Sequence, residues 1–132
     1  MFPKDKKMNI HLDATDRTPK ISLSTDPLTL AIAGESFPED VSSFYGQIIT
    51  TLSSLSSSVK GPLTFELEMI YINSSSIKAF YRIFECLDDY RKAGNIVNVI
   101  WKASDDDDIM QELGEDFKDR FQDLYFSIIQ EG

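Results

Sequence analysis

The chain has 132 residues, of which 42% are hydrophobic, and its 22 acidic against 13 basic side chains give a formal net charge of −9. That length suits one domain around one core, and the ordinary apolar content with nine phenylalanines excludes disorder throughout. The acidic excess argues against a nucleic-acid partner, because a phosphate backbone is repelled unless the few cations cluster on one face.

Lys4, Lys6 and Lys7 are interrupted by Asp5 and lack the apolar core of a signal peptide, so residues 1–17 read as a flexible amino-terminal segment before a domain over 18–132. Ile21 and Leu23 alternate with serines in a short strand over about 20–24. Thr25-Asp26-Pro27 turns the chain. Leu28, Leu30 and Ile32 then alternate with Thr29, Ala31 and Ala33, which predicts a hairpin whose second strand ends at Gly34. Ser36-Phe37-Pro38-Glu39-Asp40 leads into a helix carried by Val41, Phe44, Tyr45, Ile48, Ile49, Leu52 and Leu55. Serines between 53 and 58 mark its fraying end, and Gly61-Pro62 stops it.

Leu63, Phe65, Leu67, Met69, Ile70, Tyr71 and Ile72 suit a strand buried in a sheet. Ile77, Phe80, Phe84 and Leu87 fall at helical spacing in a helix that runs to about Ala93 and stops at Gly94. Ile96, Val97, Val99, Ile100 and Trp101 form another strand. Asp105 to Asp108 open a third helix with Ile109, Leu113, Phe117 and Phe121 as its buried stripe, and Tyr125 to Ile129 make a last strand. The order β-β-α-β-α-β-α-β implies a single α/β domain, a mixed central sheet of about five strands with helices packed against it. No run reaches the roughly 18–20 apolar residues of a membrane helix, which points to a soluble, cytoplasmic protein without a membrane partner. Cys86 is the only cysteine and lies near an apolar helix stripe, so it reads as a buried, inert thiol.

Function concentrates at Tyr71-Ile72-Asn73-Ser74-Ser75-Ser76-Ile77, where an apolar strand ends in three consecutive hydroxyls at the mouth of a helix. A phosphate added there finds unpaired backbone N–H groups and the positive end of the helix dipole. The structural alternative is that Asn73 or a serine only caps the helix.

The order of elements, with a hydroxyl residue opening the helix after the third strand, resembles the STAS domain of bacterial anti-sigma-factor antagonists. Gly34-Glu35-Ser36-Phe37-Pro38-Glu39-Asp40, then Phe44, Gly46 and Gln47, then Asn73-Ser74-Ser75-Ser76 resemble the SiaC family of regulatory phosphoproteins, over about Thr18 to Ile129. The resemblance implies a non-enzymatic protein without a cofactor or metal. In that family a partner protein kinase phosphorylates a Thr or Ser at the helix start, and a PP2C-type phosphatase removes the phosphate. The unphosphorylated form binds a signalling target such as a diguanylate cyclase, which ties the switch to cyclic-di-GMP output and biofilm behaviour. The modified position maps to Ser74, with serine in place of the family's threonine and Ser75 as a competing acceptor. Asn73, Ser75, Ser76, Glu35, Ser36, Pro38, Glu39 and Asp40 map to the switch loop and partner-binding face. Relatives often carry Asn at the position of Asp40, and a carboxylate facing Ser74 disfavours a phosphate there. A constitutive protein-binding scaffold of the same fold, never phosphorylated, is the alternative.

An enzyme finds little support. The only histidine, His11, falls in the amino-terminal segment, and no Gly-x-Ser-x-Gly elbow or His-Asp pair surrounds Ser74. Asp105 to Asp108 lack the central glycine and twelfth-position glutamate of a calcium loop, and no phosphate-binding P-loop occurs. The aromatic residues at helical spacing read as core, with Tyr45, Tyr81 and Tyr90 as alternatives for the edge of a partner surface.

Overall fold

Period-two burial builds the sheet. The computed structural model describes residues 9–132. In it β1 (Ile10–Leu12), β2 (Lys20–Thr25), β3 (Leu28–Ser36), β4 (Leu63–Ile72), β5 (Val97–Ser104) and β6 (Tyr125–Glu131) lie side by side in chain order. The first three pair antiparallel, and β3 through β6 pair parallel. Leu63, Phe65, Leu67 and Met69 of β4 are buried, as are Val97, Val99, Trp101 and Ala103 of β5, while the residues between them are not. Because each parallel strand lies next to the one before it, right-handed crossovers carry every connecting helix to the same face. Among the described residues no helix covers the opposite face, which carries Glu66, Glu68 and Lys102, with Glu68 directly opposite Lys102.

The covering layer holds α1 (Val41–Ser53), a single turn α2 (Leu55–Ser58), α3 (Ser74–Lys92) and α4 (Asp108–Arg120). α1 packs on α3, where the rings of Tyr45 and Phe80 meet edge-on at 5.6 Å. Under α4, Phe117 stacks on Phe84 at 4.7 Å and touches Trp101 at 5.6 Å. Such aromatic pairs add about 0.5–1.5 kcal/mol beyond the area they bury. Cys86 is buried behind α1, and burial pushes its thiol up, which leaves it a weak nucleophile at neutral pH.

Four details depart from the sequence reading. Residues 10–12, expected in a flexible segment, form β1, because Ile10 is buried and pairs with Leu23; His11 on that strand is exposed, with Nε2 3.1 Å from Asp13 Oδ1. Lys4 to Lys7 lie outside the described residues. β3 does not end at Gly34. With φ at +122° the glycine bends the strand, and pairing resumes as Glu35–Tyr71 and Ser36–Ile72, leaving Ile70 as a bulge. The serine-rich piece after Ser53 is held by Leu55, which is fully buried, rather than frayed. Finally, the buried face of α4 is Met110, Gly114, Phe117 and Phe121, one residue round from the expected Ile109–Leu113 row. The cause is Gly114: it lies flat on Trp101, whose indole Nε1–H donates to the Met110 carbonyl at 3.0 Å.

Candidate functional site

α3 starts where β4 stops. Asn73 has extended backbone (φ −77°, ψ 168°), and its Oδ1 accepts from the Ser76 N–H at 2.9 Å, which makes it the cap. Its own N–H donates to the Ser36 carbonyl at 2.9 Å, and its carbonyl accepts from the Ile77 N–H at 3.0 Å. The last residue of β3 and the first turn of α3 are therefore tied together.

The three serines separate by environment. Ser74 and Ser75 are exposed, and among the described residues neither hydroxyl has a hydrogen-bond partner. Ser76 is fully buried. Its Oγ accepts from Ser36 Oγ at 2.9 Å, and Ser36 Oγ lies 2.5 Å from Tyr45 Oη. With the Ser36 proton aimed at Ser76, Tyr45 donates to Ser36, so one buried chain of hydroxyls joins α1, β3 and α3. Burial raises the Tyr45 phenol well above the usual tyrosine range, against a smaller opposing effect of Ser36, which keeps it a neutral donor.

The loop before α1 divides in the same way. Pro38 is buried, Glu35 is exposed opposite Tyr71, and Glu39 pairs with Arg17 at 3.2 Å. Asp40 caps α1, accepting from the Ser43 N–H at 3.1 Å and the Ser43 hydroxyl at 2.8 Å. These bonds, the backbone one first, hold its carboxyl below the usual carboxylate value. Glu39 and Asp40 line a groove of about 480 Å³ together with Ser75, Lys78 and Arg82, and Ser74 is not part of that lining. The carboxylate that the sequence placed near the switch thus shares its groove with Ser75.

Two cations of this site escape the sequence reading. Lys78 and Arg82 follow Ser75 by three and seven residues, a spacing that puts all three on one stripe of α3. Among the described residues Arg82 pairs with Glu85 at 3.7 Å, and Lys78 makes no ion pair. Tyr71 is the exposed tyrosine beside the site and meets Phe37 edge-on at 5.9 Å, whereas Tyr45 and Tyr90 are core and Tyr81 is partly buried against Phe117. Asp107 caps α4 by accepting from the Met110 N–H at 3.1 Å, and the described residues contain no cluster of three or more metal-ligating side chains.

The sequence model of the SiaC family regulatory phosphoprotein matches residues 12–131. The chain belongs to the SiaC family. An uncharacterised protein of Pseudomonas aeruginosa (strain UCBPP-PA14) is 29% identical over 111 residues, covering 84% of this chain and 88% of the relative. Apo-SiaC from Pseudomonas aeruginosa superposes with a TM-score of 0.77 at 27% identity, over 94% of this chain and 98% of that one. SiaC in the crystal structure of the diguanylate cyclase SiaD with its activator SiaC, from the same organism, superposes at 0.80 with 28% identity, over 92% and 97%. The mixed α/β fold is therefore that of SiaC. No helix of the described residues is long and apolar enough to cross a membrane.

Proposed function

We propose that this SiaC-family chain is a non-enzymatic phospho-switch. A partner protein kinase phosphorylates Ser74 and a PP2C-type phosphatase removes the phosphate, both in the cytoplasm. The unmodified face binds and regulates a signalling target, a diguanylate cyclase. The observation that carries this reading is the exposed hydroxyl of Ser74, without a partner among the described residues, at the first position of α3 and two residues before a serine that is sealed in the core.

Three physical features support it. Asn73 takes the N–H of Ser76 with its side chain and that of Ile77 with its carbonyl, so the N–H groups of Ser74 and Ser75 remain for an anion. Lys78 follows Ser74 by four residues, which sets a cation on the same side of the helix. Phosphorylation adds about −1.5 to −2 charge and three acceptor oxygens, enough to close a face that otherwise accepts a neutral hydroxyl. The buried hydroxyl chain lies beneath this surface, so modification leaves the fold unchanged and acts by charge and bulk. The presence of SiaC as activator in the SiaD complex supports a cyclase as target. Ser75 is the competing acceptor, in a groove where the carboxylates of Glu39 and Asp40 stand with the cations of Lys78 and Arg82.

Incubation with the cognate kinase and ATP, read by intact mass, tests the switch. One phosphate is expected on the wild type and on Ser75→Ala, and none on Ser74→Ala. A gain that survives Ser74→Ala, or no gain at all, removes the proposal. In a binding assay with the cyclase, Ser74→Asp weakens association and Ser74→Ala retains it. Equal affinity of the two leaves the constitutive scaffold as the better reading.

A further inference from the structure

The two edges of the sheet are finished differently. β1 is three residues long, whereas β6 runs for seven, and each has a neighbouring strand on one side only among the described residues. Folded proteins guard a free edge with shortness, lysine, proline or a bulge. β6 has none of these: every residue from Tyr125 to Glu131 is in register with β5, and the one charge is Glu131 at its end. Tyr125 is 66% exposed and Ile129 42%. An aromatic and isoleucine-rich strand with so little charge is a template for another strand.

One bond fixes which way its backbone faces. The Asp105 N–H donates to the Glu131 carbonyl at 2.8 Å, so Glu131 turns its peptide groups towards β5. Alternation along the strand sends those of Tyr125, Ser127 and Ile129 the same way. Those of Phe126, Ile128 and Gln130 therefore point outward, where no strand of the described residues meets them.

We infer that β6 pairs antiparallel with β6 of a second copy of this chain, about a two-fold axis that passes beside Ile128 and stands normal to the sheet. In that register Ile128 faces its own counterpart and Phe126 faces Gln130, so outward groups meet outward groups along the whole strand. Ser127 falls opposite Ile129, and Tyr125 opposite Glu131, so no like charges are opposed. Both helix layers stay on one side, and the two six-stranded sheets become one. The flank of α4 brought to the seam is the one on which Gln111 bonds Gln130 at 3.1 Å. Glu115 and Lys118, four and seven residues after Gln111, give that flank one charge of each sign.

Other arrangements of two copies fit less well. Head-to-tail pairing of β6 on β1 engages three residues and continues without closing. Packing the two helix-free faces together buries Glu66, Glu68 and Lys102, which stand mid-sheet on β4 and β5, whereas edge pairing leaves them in water. Seven residues per chain fall short of the roughly 20–30 a side of a standard interface, so the dimer is weak and depends on concentration.

Sedimentation equilibrium of the full chain from about 1 µM to about 1 mM tests this. The average mass is expected to rise from 15.0 kDa towards twice that value and no further. Ile129→Lys sets two lysines diagonally across the seam, and Ile128→Pro removes an outward N–H while leaving the ladder to β5 intact; each weakens association by roughly tenfold or more. Ser56→Lys, at an exposed position of α2, associates like the wild type. Thermal midpoints check the folds, and Ile129→Lys, at an exposed position, carries the test by itself if the proline variant unfolds. Ser127→Cys combined with Ile129→Cys places thiols in a non-hydrogen-bonded pair with α-carbons about 4.5 Å apart, so oxidised glutathione links the two chains. A wild type that stays monomeric at about 1 mM overturns the proposal and leaves the edge to a strand of another protein. A dimer that Ile129→Lys leaves unchanged, or a mass that climbs past two chains, overturns it as well. A wild-type dimer whose double-cysteine variant stays unlinked overturns the axis at Ile128.

Discussion

Individual side chains at the start of α3 have separable tasks, and substitution should separate them. Asn73→Ala removes the bond to the Ser76 N–H and should cost about 0.5–2 kcal/mol in urea denaturation, with Asn73→Ser recovering most of it. In the buried chain Ser36 serves two partners and Tyr45 one. Ser36→Ala therefore orphans both neighbours and should cost about 1–3 kcal/mol for each buried group left unpaired, more than Tyr45→Phe. The phenols of Tyr45 and Tyr90 are both raised by burial, so the stability they contribute is complete below their unfolded value of 10.0 and is lost as pH rises beyond it. Tyr45→Phe should flatten that alkaline decline, measured as midpoint against pH. At this scale the sequence showed the hydroxyl run and its cap, because both are local. It did not show which serine faces inward, since Ser36 is 40 residues from Ser76 and only the fold brings them together.

Elements carry a second class of test through their glycines. A Cβ at Gly114 would fall 2.6 Å from Trp101 Cδ1, so Gly114→Ala should destabilise by about 1–3 kcal/mol through overpacking. That exceeds the gain of about 1 kcal/mol that alanine brings to a helix interior. At Gly46 in α1 no atom of the described residues beyond the helix's own backbone lies within 4 Å of the same position, and Gly46→Ala should stabilise by about 0.5–1 kcal/mol. Thermal midpoints of the two variants should move in opposite directions. The Gly114 contact also explains why periodicity points to a face of α4 one residue off the buried one. Ile109 and Leu113 fit the helical period as well as Met110 and Gly114 do, and hydrophobicity alone favours the isoleucine. The close approach of a helix to an indole leaves no trace in periodicity. The last five strands, their chain order and the stop at Gly94 were legible because alternation, turn residues and a left-handed glycine are short-range signals, whereas the three residues of β1 are too few to show a period. The bulge at Ile70 was not, because register depends on the neighbouring strand.

Across the whole molecule, a net charge of −9 sets a background of self-repulsion. Added sodium chloride at neutral pH should raise the thermal midpoint by screening it, and calorimetry in a salt series checks this. The chain order of the sheet, β1 to β6 without a reversal, brings the beginnings of α1, α3 and α4 to one rim. Those three helix mouths differ in electrical state. Asp40 and Asp107 already set a formal negative charge against the positive poles of α1 and α4, while α3 is closed by an uncharged carboxamide, with no acidic residue in its first turn. α3 is also the longest of the three. A doubly negative group attached at Ser74 would be the first anion to reach that pole, whereas the same group on Ser42 or Ser43 would contend with the carboxylate of Asp40.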